Sequence, residues 1–149
     1  MNERWNLDPI YTGFDDKNYI SDMAAAAETV KELTAFTADL AAAEPLAGLR
    51  KGIALQERLS DLIEKLAGYA SLRQAANTRD GEAGSQLGQI MAIYSETAAP
   101  LAAFTDWASK LPDLMELVRS DESLKEYEYL FRRFRWLPKI VQLNFQKAL

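Results

Sequence analysis

At 149 residues, 48% hydrophobic and 26% charged, the chain has the size and composition of one globular domain rather than a disordered segment. It contains no cysteine and no histidine, which excludes disulfides, thiol nucleophiles, thiolate metal sites and the commonest general base and metal ligand. Net charge is −5 but uneven: the 19 residues from Phe131 to Leu149 carry 5 Lys and Arg and no acid, leaving 12 basic against 22 acidic residues before them.

The leader "WNLDPIYTGFDD", Trp5 to Asp16, spends a Trp, a Leu, an Ile, a Tyr and a Phe before any helical periodicity begins. Disordered tails are poor in such residues, so residues 1–16 are expected to form a strap pinned to a surface. Pro9 biases Asp8 toward extended geometry, Gly13 permits a turn, and Asp15 or Asp16 is placed to cap a following helix.

Tyr19, Met23, Ala26, Val30, Leu33 and Leu40 recur in steps of three and four over an Ala-rich background, predicting a first helix over 17–43 that ends at "EPLAG". Leu55, Leu59, Leu62, Leu66 and Tyr69 predict a second over 49–78, broken by "RDGE". The third pattern, Leu87, Ile90, Met91, Tyr94, Ala98, Leu101, Phe104 and Ala108, predicts a helix over 82–110 kinked or split by Pro100. Pro112 opens a short helix in "PDLMELVRS", and Ser120 or Asp121 caps another in "ESLKEYEYLFRRFR". The expected fold is all-α: an antiparallel bundle of three long helices with shorter C-terminal ones, in a single domain.

Chemistry is sparse. A zinc hydrolase needs paired ligands at one-turn spacing, usually H-E-x-x-H, and without histidine that site cannot form. Asp61 with Glu64, and Glu122 with Glu126, share helix faces but read as solvated charge rather than as a divalent-ion site or a carboxylate-based enzyme. Gly81, Gly84 and Gly88 in "DGEAGSQLG" match no phosphate-binding loop and read as a turn followed by small residues that permit helix contact. Ser71 and Ser95 have no histidine partner and no G-x-S-x-G elbow. The basic end, with Arg132, Arg133, Arg135 and Lys139 among Phe131, Phe134 and Trp136, has the ingredients of a contact surface, but is expected to cover apolar surface with its stems, and neither nucleic acid nor membrane is an expected partner. Catalytic, cofactor-binding and metal residues are therefore all assigned as none. No leader has the form of a secretory signal and no apolar run approaches a membrane span, so a cytoplasmic location is expected.

The strap "WNLDPIYTGFDDKNYISDM", with Trp5, Leu7, Tyr11 and Phe14, and the later segment "YASLRQAANTRDGEA" resemble, in the same order, the N-terminal region of oligoendopeptidase F, a cytoplasmic zinc metallopeptidase of the thimet-oligopeptidase type. The likeness covers residues 5–135. It implies a non-catalytic helical domain that packs on a catalytic domain and helps wall a channel for short peptides. In that family the metal and the catalytic Glu belong to an H-E-x-x-H in a later part of a longer chain; no position here matches it, so no catalytic residue is carried over. Residues 136–149, "WLPKIVQLNFQKAL", depart from the family pattern, which is expected of a truncated or frameshifted frame or of a short lineage-specific protein. The competing reading is a free-standing helical interaction module that binds a protein partner or itself.

Overall fold

The structure, a computed structural model, describes residues 6–135, and among these it is helical with no strand. Trp5 and the basic tail from Trp136 onward lie outside the described residues. The described residues form α1 (Lys17–Thr37), α2 (Pro45–Ala76), α3 (Gly81–Ser95), α4 (Ala98–Ser109) and α5 (Leu114–Ser120), with single 3-10 turns at Leu40–Ala42 and Lys125–Tyr127 and a further helical stretch over 128–135. The chain divides into two compact units, one comprising the residues up to Glu32 with Leu55–Ala98, the other Leu33–Ala54 with the residues from Ala99 onward.

Local chemistry explains the boundaries. Asp16 caps α1: one carboxylate oxygen accepts from the Asn18 amide at 2.8 Å while the other accepts from the Thr12 amide at 2.9 Å. The first helix stops at Thr37, short of the expected 43, and tightens into the turn at Leu40–Ala42. The second begins at Pro45, earlier than the expected 49. Glu44 accepts from the amides of Leu46 at 3.1 Å and Ala47 at 2.7 Å, and a proline at the first helical position has no N–H to leave unpaired. "EPLAG" thus starts a helix as well as closing one off.

The long third helix is split, at Glu96 and Thr97 rather than at Pro100. Buried Thr97 turns its hydroxyl onto the Tyr94 carbonyl at 2.6 Å, closing α3, and Pro100 then falls in the first turn of α4, where it costs little. Met91, Tyr94 and Ala98, expected on the core stripe, are exposed, while Ile90, Phe104 and Ala108 are buried.

In the first unit α1 and α2 run antiparallel: Tyr19 lies 6.1 Å ring to ring from Tyr69, Asp22 pairs with Lys65, and Glu32 with Arg58, so numbers rise on one helix as they fall on the other. Their inner faces, Tyr19, Ala26 and Val30 against Leu59, Leu66 and Tyr69, are closed by Ala83 and Ile90 of α3. In the second unit Leu49 and Ile53 of α2 meet Phe104 and Ala108 of α4, with Leu114, Val118, Leu124, Phe131 and Phe134 completing the core. Gly52 and Gly48 face the rings of Phe104 and Trp107, and a methyl group at either would run into the ring. Here absence of a side chain is what lets two helices approach.

The second unit also holds a buried carboxylate. Asp121, 6% exposed, accepts from the Arg50 guanidinium and from the Ser123 amide at 2.9 Å, capping the turn that follows. Hydrogen bonds from Arg50 and Ser123 hold its carboxyl down from the ordinary 3.8 to about 2. Because the folded-state value lies below the unfolded one, its stabilising contribution is complete above the unfolded value and lost as pH falls toward the folded one. The melting midpoint should therefore drop between about pH 4 and about pH 2. Asp121→Asn should melt lower at neutral pH and lose part of that acid sensitivity; an unchanged acid limb in thermal melts would contradict the assignment.

Candidate functional site

The strap is built into the first unit. The Leu7 carbonyl accepts from the amides of Ile10 at 2.9 Å and Tyr11 at 3.3 Å, so the chain turns at Asp8–Ile10 and delivers Tyr11 and Phe14 inward, 1% and 7% exposed, with Leu7 and Ile10 packed beside them. Tyr11 and Phe14 meet Tyr19 and Tyr69 edge to face at centroid distances of 5.1–5.4 Å. Edge-to-face geometry sets the positive rim of one ring against the negative face of another and adds about 0.5–1.5 kcal/mol per pair to area burial.

Two cations of α2 fasten these rings. Lys65 lies 4.5 Å from the Tyr11 ring centroid and donates to Asp22 at 3.0 Å, while the Tyr11 hydroxyl donates to the same Asp22 oxygen at 2.5 Å. Burial works to raise the Asp22 carboxyl, but the Tyr11 and Lys65 hydrogen bonds and the lysine charge outweigh it and hold the group below the usual carboxylate range. Burial first, then the hydrogen bond to Asp22, drives the Tyr11 phenol far above its ordinary value, so it stays a donor at any physiological pH. Arg73 lies 4.4 Å from the Phe14 centroid and donates to Asp80 at 2.9 Å. Asp80 in turn accepts from the Ala83 amide at 3.0 Å as the cap of α3. A single chain of contacts thus joins the strap, the end of α2 and the start of α3.

The residues considered for catalysis are not drawn together. Asp61, Glu64, Glu122 and Glu126 are all exposed, and no group of three or more potential metal ligands occurs among the described residues. Glu122 instead pairs with Lys125 at 2.5 Å. Ser71 is exposed, and exposed Ser95 bonds its own helix at the Ala92 carbonyl, 2.7 Å away. Gly81 opens α3 without a positive φ, and no backbone nest forms over the glycines. Of the basic end, Phe131 and Phe134 are core, Arg132 pairs with Glu128 at 2.7 Å, and Arg133 and Arg135 are exposed; Trp136 and Lys139 lie outside the described residues.

A surface missed by the sequence pattern is the outer side of α3. From Ala83 to Thr105 the only charged residue is Glu96. Met91 is 54% and Tyr94 48% exposed, beside an exposed Gly88 that faces open space. Gly84 lies toward α2, where a methyl group on it would meet the Gln74 amide. The other flank of α2 carries the ion pairs to α1. The lack of charge over that stretch was the available signal.

No helix among the described residues is long and apolar enough to cross a membrane. No family model, no curated protein and no solved structure matches the chain.

Proposed function

We propose that the chain is a non-catalytic helical domain similar to the N-terminal domain of an oligoendopeptidase F-like zinc metallopeptidase, helping to wall the peptide channel of an enzyme whose metal and catalytic Glu reside elsewhere. The observation that supports this reading best is spatial. The two stretches that carry the resemblance, residues 5–23 and 69–83, are separated by 45 residues, yet they touch: Tyr11 and Phe14 of the strap pack on Tyr69, and Arg73 of "YASLRQAANTRDGEA" lies over Phe14. Segments that look alike as a set are expected to act as a set, and here they form one contact. The absence of histidine from the sequence leaves the chain unable to supply an H-E-x-x-H of its own.

The expected result of incubating the purified chain with zinc and a panel of short peptides is no hydrolysis above the metal-only control. Zinc-dependent cleavage that copurifies with the chain and responds to its mutation would overturn the proposal. The exposed Met91 and Tyr94 on the uncharged side of α3 favour a second reading, a free-standing helical module that contacts another protein or itself.

A further inference from the structure

We infer that the strap is a clasp on the start of α3: its docking on α2 and the capping of α3 are coupled through one side chain, Arg73, so that loosening either loosens the other. Three residues of α2 hold the strap: Lys65, Tyr69 and Arg73. They stand four positions apart, in one slanting row about 12 Å long on the helix. The strap answers that row with two rings. Lys65 lies over Tyr11, Tyr69 meets Tyr11 and Phe14 edge to face, and Arg73 lies over Phe14.

The two ends of the row lead to different places. Lys65 donates to Asp22 and so stays with the strap and α1. Arg73 donates to one oxygen of Asp80 at 2.9 Å, and the other oxygen accepts from the Ala83 amide at 3.0 Å as the cap of α3. Two side chains, Arg73 and Asp80, therefore link a strap ring to the first turn of a helix that the strap does not precede in sequence.

The chemistry of the guanidinium is what makes the link cooperative. Its flat face stacks on a ring while the N–H groups at its edge donate to a carboxylate, so one orientation of Arg73 serves Phe14 and Asp80 together. Ordering a long side chain costs rotamer entropy, and that cost falls once, on whichever contact forms first. The Arg73 and Asp80 side chains are only 29% and 10% exposed, so the pair is screened less than a surface one. A partner that draws the strap off α2 would thus free Arg73 and loosen the cap at Asp80. A second path from the strap to α3 runs through Tyr19, whose hydroxyl donates to Gln86 at 2.9 Å, and it bypasses the cap. The coupling holds or fails independently of the peptidase reading.

Native-state amide hydrogen exchange of the full chain, resolved by residue with NMR, tests it. Phe14→Leu should speed exchange at the Ala83 amide by about 3- to 30-fold, the range for losing a cation–π contact, with a smaller change at Ile90 further along α3. In an Arg73→Met chain, which keeps an apolar stem but cannot bind Asp80, adding Phe14→Leu should leave Ala83 exchange where Arg73→Met alone sets it. Linkage requires the converse as well. Asp80→Ser keeps a capping oxygen and removes the carboxylate, and it should speed exchange at the Tyr11 amide, which donates to the Leu7 carbonyl. An Ala83 amide indifferent to Phe14→Leu overturns the inference, as does one that responds equally with and without Arg73, which is the behaviour of the Tyr19 path. A rise of equal size at Ala83 and Ile90, or a Tyr11 amide unmoved by Asp80→Ser, overturns it too.

Discussion

Tyr11→Ala is expected to lower stability by about 3–5 kcal/mol, the range for deleting a fully buried aromatic ring. The ring is 1% exposed, sits edge-on to Tyr19 and Tyr69, and lies under the Lys65 ammonium. Its loss also strips Asp22 of one donor, leaving that carboxylate to Lys65 alone. Tyr11→Phe separates the two effects: it keeps the ring and removes the hydroxyl, for an expected cost of about 1–2 kcal/mol. Urea unfolding followed by circular dichroism measures both. A Tyr11→Ala chain that unfolds at the parent's midpoint would mean that the leader is not part of the core, and the account of the strap would be wrong.

The second large effect lies in the other unit. Phe104→Ala should cost about 3–5 kcal/mol by opening a cavity, because Phe104 is wholly buried among Phe36, Trp107 and Phe134. Gly52→Ala should cost about 1–3 kcal/mol for the opposite reason, its methyl being driven into the Phe104 ring. The two substitutions should not add. In the double variant the new methyl enters space the ring has vacated, so the combined loss should fall short of the sum, and a double-mutant cycle reads the coupling directly. Strict additivity would show that Gly52 and Phe104 do not meet.

The elements most legible in the sequence were those whose physics is local. The core stripes of α1 and α2 followed from apolar spacing, and Tyr19, Ala26, Val30, Leu59, Leu66 and Tyr69 are all buried. Asp16 and Asp121 cap the turns beside them because a short carboxylate reaches the amides two residues on. The aromatic-rich leader announced burial, although Trp5 itself lies outside the described residues.

What escaped was set by tertiary packing or by a weak local signal. Pro45 starts α2 with Glu44 as its cap, whereas Ser, Thr, Asp and Asn are the strongly preferred caps, so the stretch looked like a terminator. The break between α3 and α4 has no glycine or proline at Glu96 or Thr97 to mark it. Met91 and Tyr94 precede that break and are exposed all the same: three- and four-residue spacing admits both to an apolar stripe, and only the packing of Ala83 and Ile90 shows which side of α3 is covered. Gly48 and Gly52 sit one turn apart in an unbroken helix, and only the rings of Trp107 and Phe104 reveal why they are glycine. The candidate site was legible mainly by elimination: the lack of histidine and cysteine left carboxylates, and the pairs singled out by spacing, Asp61 with Glu64 and Glu122 with Glu126, stand exposed.

The proposal to be tested is that this chain serves a zinc peptidase whose chemistry lies elsewhere. The most direct measurement is to read the coding DNA downstream of the Leu149 codon in all three frames. The account predicts an encoded H-E-x-x-H, in phase or displaced by a frameshift, within the length of one further domain or two. A downstream region that encodes no such segment in any frame would contradict the account and leave an independent helical binding protein in its place.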